Sequence, residues 1–182
     1  ETALFKKEHF EGQYYQLPIG EALVAWLRDK PLFTTIDPAI SEEEDACYTA
    51  GWTCAWDAAG NVYTVDHLYE KGLQPGDLQA WLFKQQNTWH PVWQGVEERG
   101  FQKMIRFAAN QESKRTGVWI NWMPLKDGGR SKDYRIKGLH PLISEKRLFL
   151  RPEHAHLVDE ALRYPRGTYR AALDALAYQL DI

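Results

Sequence analysis

Residues 32–68 read "LFTTIDPAISEEEDACYTAGWTCAWDAAGNVYTVDHL", and three candidate strands lie in this stretch. The first, residues 32–37, is rich in β-branched side chains and stops at an Asp-Pro pair. The second, residues 47–56, alternates with a period of two, which predicts one buried face made of Tyr48, Ala50, Trp52, Cys54 and Trp56. A turn follows, and residues 62–68 form the third candidate. The stretch therefore predicts an antiparallel meander of three strands.

Helical and strand-like segments alternate after the meander. The pattern predicts a helix over 75–86 capped by Asp77, a strand at 91–98, a helix over 100–111 and a strand at 117–124. A helix through Leu139, Leu142 and Ile143, a short strand at 147–152 and two terminal helices follow. This order predicts an α/β fold, in which parallel strands continue the meander as one mixed sheet flanked by helices.

Size and composition fit one domain. The 182 residues are 44% hydrophobic and 13% aromatic, enough for one core. We assign residues 31–182 to that domain and residues 1–30 to a linker segment that packs on it. A net charge of −3 excludes a general attraction to polyanions, so a nucleic-acid partner would need a local basic patch. Two cysteines predict packing rather than a disulfide framework, and no apolar stretch predicts a membrane span.

Acidic residues stand at the ends of two predicted strands. Asp37 ends the first strand and Glu97 ends the fourth. If these strands are neighbours, both carboxylates emerge at one edge, where a cation would relieve their repulsion. Carboxylate oxygens suit Mg²⁺ or Mn²⁺, which can promote phosphodiester hydrolysis. The alternative is two surface acids that never meet.

A basic segment at 126–137 is the candidate for binding a phosphate backbone. It has five cationic residues against Asp127 and Asp133, and two glycines predict a mobile loop. The alternative is an ordinary solvent-facing connection. The cationic residues are Lys126, Arg130, Lys132, Arg135 and Lys137.

Other candidates are weaker. His154 and His156 resemble a metal pair, but they lack partners at zinc spacing and are interpreted as structural or solvated. Gly95 and Gly100 have the spacing of a phosphate loop without its Lys-Ser/Thr, so no nucleotide site is predicted. The acidic run at 42–45 is interpreted as a solvated loop from which Asp45 could reach the metal edge.

Five stretches in order resemble the C-terminal nuclease domain of phage terminase large subunits. "LFKKEHF" at 4–10 is similar to the family's "LFKREWF", and 34–68 resembles its first three strands. "GVEERGFQKMI" resembles its fourth strand and next helix, and 123–150 resembles its basic loop, helix and late strand. "LRYPRGTYRAALDALAYQL" at 162–180 resembles its closing "FP-x-G-x-HDD-x-x-DALAY" helix.

The resemblance implies a ribonuclease H-like endonuclease that binds two Mg²⁺ or Mn²⁺ ions and cuts concatemeric double-stranded DNA when packaging starts and stops. It makes Asp37 and Glu97 catalytic metal ligands, and it implies an ATPase domain upstream of Glu1. The implied partners are that ATPase domain, the portal and the small terminase subunit, without a membrane. The implied location is the cytoplasm of an infected host cell.

The third acid departs from the family pattern. Tyr169, Arg170 and Ala171 replace its His-Asp-Asp, and only Asp174 of "DALAY" remains. Asp174 either joins the cluster as a catalytic metal ligand or forms an i, i+4 ion pair with Arg170 on a solvent-facing stripe. Two other functions stay open: a resolvase-type or transposase-type nuclease, and a catalytically weak module that binds DNA or docks on the portal.

Overall fold

A six-stranded mixed sheet forms the centre of the molecule. The computed structural model describes residues 3–39, 47–98 and 101–181. The strand order is β5-β4-β1-β2-β3-β6. The strands are β1 (Leu32–Asp37), β2 (Tyr48–Trp56), β3 (Val62–Lys71), β4 (Trp93–Glu97), β5 (Trp122–Leu125) and β6 (Leu148–Phe149).

The pairing confirms the predicted meander and its parallel continuation. β1 pairs antiparallel with β2, and β2 pairs antiparallel with β3. β4 lies parallel to β1, β5 lies parallel to β4, and β6 lies parallel to β3. Ile36 is opposite Val96 in the register of β1 and β4. The next residues, Asp37 and Glu97, therefore leave the sheet at the same edge.

Helices cover both faces of the sheet. On one face, side chains of α2 and α3 form a core with Ile36 and Val96. On the other, α4 to α7 form a larger core with Trp52 and Cys54. The helices are α1 (Gly20–Leu27), α2 (Pro75–Trp89), α3 (Phe101–Thr116), α4 (Lys132–Lys137), α5 (His140–Ser144), α6 (Ala155–Arg163) and α7 (Ala171–Ala177).

The predicted single buried face of β2 is wrong. Residues 49–55 of β2 are all buried, because helices pack on both sides of this central strand. Trp52 belongs to the core beneath α7, whereas Gly51 faces Ile36 and Trp81. The apolar side chains still alternate along β2, because small and hydroxyl side chains, such as Thr53, are buried on its second face.

Several predicted boundaries also differ. Asp77 lies in the first turn of α2, where Gln74 is the N-cap residue. Residues 132–137, predicted as part of a mobile loop, form α4, because the Ser131 hydroxyl accepts a hydrogen bond from the Tyr134 N–H and caps the helix. Cys54 is buried as expected, but Cys47 is exposed.

The leading segment packs on the larger core. Phe5 and Phe10 are buried there. The Gln13 side-chain amide donates to the carbonyls of Lys146 and Leu148 at 2.8 and 3.0 Å. The division of the chain near residue 30 stays a prediction. In the described ranges, no helix has both the length and the apolarity needed to cross a membrane.

Candidate functional site

Asp37 is presented at the end of β1 by a strand that is buried along its whole length. Its side chain is almost fully buried although it carries a carboxylate. Burial raises the pKa of Asp37 well above its ordinary value. The neighbouring carboxylates of Asp174 and Glu97 act in the same direction, and Lys132 opposes them. This crowding of acids is the arrangement that a bound cation would relieve.

Asp174 reaches the same edge from α7. Three side chains of the sheet and of the turn after α7 fix the position of this helix. Thr35 Oγ1 donates to the Ala175 carbonyl at 2.7 Å, and Trp52 Nε1 donates to the Ala172 carbonyl at 2.9 Å. Gln179 Nε2 donates to the Phe33 carbonyl at 3.0 Å. The helix is thus held across β1 and β2 with Asp174 beside Asp37.

Asp174 forms a buried ion pair with Arg135 of α4. Arg135 Nη2 donates to Oδ1 at 2.8 Å and to Oδ2 at 3.1 Å, and Nε donates to Oδ1 at 3.2 Å. The side chains are 4% and 1% exposed. The alternative pair with Arg170 is wrong, because the Arg170 guanidinium binds Asp133 at 2.7 Å.

Lys132 lies at the mouth of the site between two acids. Its Nζ is 3.6 Å from Asp37 Oδ2 and 3.7 Å from Asp174 Oδ2, while its side chain is 57% exposed. Burial lowers the pKa of Lys132, but the carboxylates of Asp37, Asp174 and Glu97 outweigh that effect and raise it. The lysine therefore stays charged at this position.

Glu97 is half-buried at the end of β4, and its charge acts on both Asp37 and Lys132. Gly95, two residues earlier, lies against Leu125 of β5, where a Cβ would come within 2.6 Å of Leu125 Cδ2. The glycine that was considered for a phosphate loop thus serves close packing of β4 on β5. Gly100 and the acidic run that contains Asp45 lie outside the described residues.

The predicted DNA-binding residues fall into two groups. Lys126, Arg130 and Lys137 are exposed, and Arg130 Nη2 binds Asp181 Oδ1 at 3.1 Å. Lys132 and Arg135 instead contact the acids. A DNA-binding role for these five residues stays a prediction, and the buried Arg135 has its guanidinium committed to Asp174.

Tyr178 is a residue that the sequence reasoning missed. It is buried just beyond α7, its ring lies 4.8 Å from the Arg135 Cζ, and its hydroxyl has no hydrogen-bond partner among the described atoms. Burial raises the pKa of Tyr178, and the charge of Glu97 adds to that effect. Its place at the end of "DALAY" is the one available sequence signal. It supplies an unused polar atom beside the acids.

His154 and His156 lie in a separate aromatic cluster. His154 Nδ1 is 2.7 Å from Thr64 Oγ1, and the His156 ring stacks on Trp52 at 5.0 Å. Burial lowers the pKa of His154 to about 3 and that of His156 to about 4. Their surroundings are those of structural histidines. Throughout the described ranges, no three His, Cys, Asp or Glu side chains are placed to hold a metal ion.

Solved structures with a similar fold include viral nuclease domains. The human cytomegalovirus terminase nuclease domain, soaked with Mn and bound to an inhibitor, is 11% identical at a TM-score of 0.67, covering 98% of this chain and 94% of that one. The P22 large terminase nuclease domain is 16% identical at 0.63, covering 97% and 90%. The large terminase nuclease of thermophilic phage G20c with bound cobalt is 14% identical at 0.62, covering 83% and 80%.

A second kind of nuclease is also similar. The yeast mitochondrial Holliday junction resolvase Ydc2 is 15% identical at a TM-score of 0.51, with 81% of this chain and 74% of that chain covered. No protein-family model and no curated protein sequence matches the chain. The likeness therefore rests on the shared arrangement of sheet and helices.

Proposed function

From the ribonuclease H-like fold that this chain shares with large terminase nuclease domains, we propose that it is the endonuclease domain of a viral DNA-packaging terminase. In this role it hydrolyses phosphodiester bonds of concatemeric double-stranded DNA when packaging starts and ends. The observation that carries the proposal is the buried Asp37 carboxylate, which has Asp174 beside it and Glu97 at the end of the neighbouring parallel strand.

The donor set at this edge fits a hard divalent cation such as Mg²⁺ or Mn²⁺. Asp37, Glu97 and Asp174 offer carboxylate oxygens, and Asp37 is buried among like charges. Mg²⁺ is often held by one or two carboxylates together with water and substrate phosphate, so a cage of three protein acids is not required. Asp37 and Glu97 are the residues that would hold the ion.

The side chains around the acids have separate roles in the proposed reaction. A bound divalent ion would polarise the phosphodiester and activate water. Lys132, whose ammonium is at the mouth of the site, would neutralise a non-bridging phosphate oxygen. Lys126, Arg130 and Lys137 are exposed on the same segment and would contact the backbone of the DNA strand. Arg135 orients Asp174.

The wider assembly follows from the same proposal. An ATPase domain of the same protein would supply translocation, and the portal and small terminase subunit would be its partners. The place of action would be the cytoplasm of an infected host cell.

Asp37→Asn tests the proposed chemistry. We expect the variant to lose nicking of supercoiled plasmid in Mn²⁺ by at least about a hundredfold, because a neutral amide is a poor ligand for a hard cation. Asp29→Asn is the matched control, since Asp29 precedes β1 at the opposite edge and is 79% exposed. Full nicking by folded Asp37→Asn would remove Asp37 from the mechanism.

Two other functions predict different results. A resolvase-type enzyme, suggested by the likeness to Ydc2, would cut four-way junctions in preference to linear duplex. A portal-docking or DNA-binding module would show neither nicking nor heat on titration with Mn²⁺.

A further inference from the structure

The Asp174 carboxylate already accepts three hydrogen bonds from Arg135. Nε donates to Oδ1 and Nη2 donates to Oδ2, which is the two-point geometry that suits guanidinium and carboxylate. Both residues are buried. A metal ion that used Asp174 would compete with a buried guanidinium for the same carboxylate, and displacing it would leave that charge without its partner.

Lys132 places a cationic group between two of the acids. Its Nζ lies at nearly equal distances, 3.6 and 3.7 Å, from one oxygen of Asp37 and one of Asp174. The lysine starts α4, and the next turn of that helix carries Arg135. One short helix therefore delivers both cations to the acidic edge.

The charges of the site favour one divalent ion. With all three carboxylates ionised, as metal binding requires, Asp37, Glu97 and Asp174 carry one more formal charge than the two cationic side chains, Lys132 and Arg135, that contact Asp37 and Asp174. One divalent ion turns this into one net positive charge, which matches the single negative charge of a phosphodiester. Two ions would leave a strongly positive, partly buried cluster, and such uncompensated charge is costly.

Resting on the function proposed above, we propose that Lys132 takes the place of the second metal ion. The site then binds a single divalent cation through Asp37 and Glu97. Asp174 is a positioning residue: it holds Arg135 and provides one of the two carboxylates between which the Lys132 ammonium lies. The ammonium would contact the scissile phosphate directly and is thus a catalytic residue.

Counting the bound ions tests this proposal without reference to activity. In calorimetric titration of the folded chain with Mn²⁺, without DNA, we expect one ion per chain. Electron paramagnetic resonance of the free Mn²⁺ gives an independent count. Two ions per chain would overturn the proposal while leaving the nuclease function intact.

Lys132→Ala tests the position of the ammonium. Because the Lys132 side chain is largely exposed, we expect the variant to fold like the wild type. Loss of a positive charge 3.6 Å from Asp37 should tighten Mn²⁺ binding by about tenfold, whereas nicking should fall. Lys114→Ala is the matched control, because Lys114 lies in the last turn of α3, which starts beyond the end of β4 and runs away from Glu97. Equal Mn²⁺ affinity in the two variants would overturn the proposal.

A third result separates this inference from the function on which it rests. If the wild-type chain binds no Mn²⁺ and nicks no plasmid, the proposed nuclease fails and the role of Lys132 fails with it. If the chain nicks plasmid with two ions bound, only the role of Lys132 fails. Arg135 is left unchanged in these tests, because its loss would destabilise the fold.

Discussion

The Arg135–Asp174 pair makes the stability of the fold depend on one buried contact. Arg135→Met removes the guanidinium and leaves a buried carboxylate without its main partner. We expect the free energy of unfolding to fall by about 3–5 kcal/mol, the usual cost of breaking a buried ion pair. Urea unfolding at neutral pH measures the change.

The double variant Arg135→Met with Asp174→Leu is the control for this prediction. Replacing both charges by apolar groups removes the unpaired carboxylate, so most of the lost stability should return. A single variant that costs less than about 1 kcal/mol would contradict the buried pair.

Gly95 allows β4 to pack closely against β5. Its hydrogen leaves room for Leu125, and a Cβ would lie 2.6 Å from Leu125 Cδ2. We expect Gly95→Ala to lower the free energy of unfolding by about 1–3 kcal/mol through overpacking. Gly76→Ala in α2, where no atom lies within 4 Å of the added Cβ, should be neutral or slightly stabilising. Thermal unfolding of both variants measures the two changes in stability, and equal changes would contradict the prediction.

The helix α7 is the element that completes the site, and hydrogen bonds from the sheet hold it. Thr35 Oγ1 donates to the Ala175 carbonyl and accepts from Gln179 Nε2 at 3.1 Å. Thr35→Val keeps the shape but removes the side-chain donor to the Ala175 carbonyl and one of the two acceptors of Gln179 Nε2, so we expect a loss of about 1–3 kcal/mol in stability together with weaker nicking. Exposed Thr168→Val should change stability by less than about 0.5 kcal/mol. Equal unfolding midpoints would contradict this account.

Elements with strong patterns were predictable, and those set by tertiary contacts were not. The strand ending at Asp37 and the turn before Val62 follow from β-branched residues and turn chemistry. The glycines at 128 and 129 suggested a loop that continues past Ser131, whereas buried Ile136 and the Ser131 cap favour a helix. Single-sequence patterns do not show that α4 packs against α7.

Two buried histidines, His154 and His156, should each contribute a loss of stability to the whole molecule in mild acid. Burial lowers the pKa of His154 to about 3 and that of His156 to about 4, so the folded state excludes protons that the unfolded chain binds. The contribution of these two histidines to the free energy of unfolding is fully present above the ordinary histidine pKa of about 6.5. It decreases as the pH falls toward the pKa values of the folded state. Between pH 7.5 and 5 we expect a loss of about 1–2 kcal/mol for each histidine, measured by urea unfolding.

His156→Phe isolates this effect. The ring still stacks on Trp52, and His156 Nε2 has no hydrogen-bond partner among the described atoms to lose. The pH dependence should therefore become shallower. His90→Asn is the control, because His90 is exposed and lies at a left-handed position that asparagine tolerates. This variant should have the same pH dependence of stability as the wild type. Identical pH profiles for wild type and His156→Phe would remove His156 from the explanation.

For the molecule as a whole, the sequence predicted a mixed sheet and the position of two acids at its edge. It did not predict how α7 packs on the sheet to complete the site. Asp37 and Glu97 could be placed because strand ends at one edge of a parallel pair must meet. Asp174 could not, because its spacing to Arg170 equally fits a surface ion pair. The position of α7 depends on Thr35 and Trp52 donating to its backbone, which no periodicity reveals.

The acids at the sheet edge come from β1, from β4 and from the last α-helix, α7. During synthesis on the ribosome, Asp37 emerges long before Asp174 and its helix can dock. A nascent chain would therefore present an unfinished centre until residues 171–177 have left the ribosome and α7 has docked on the sheet.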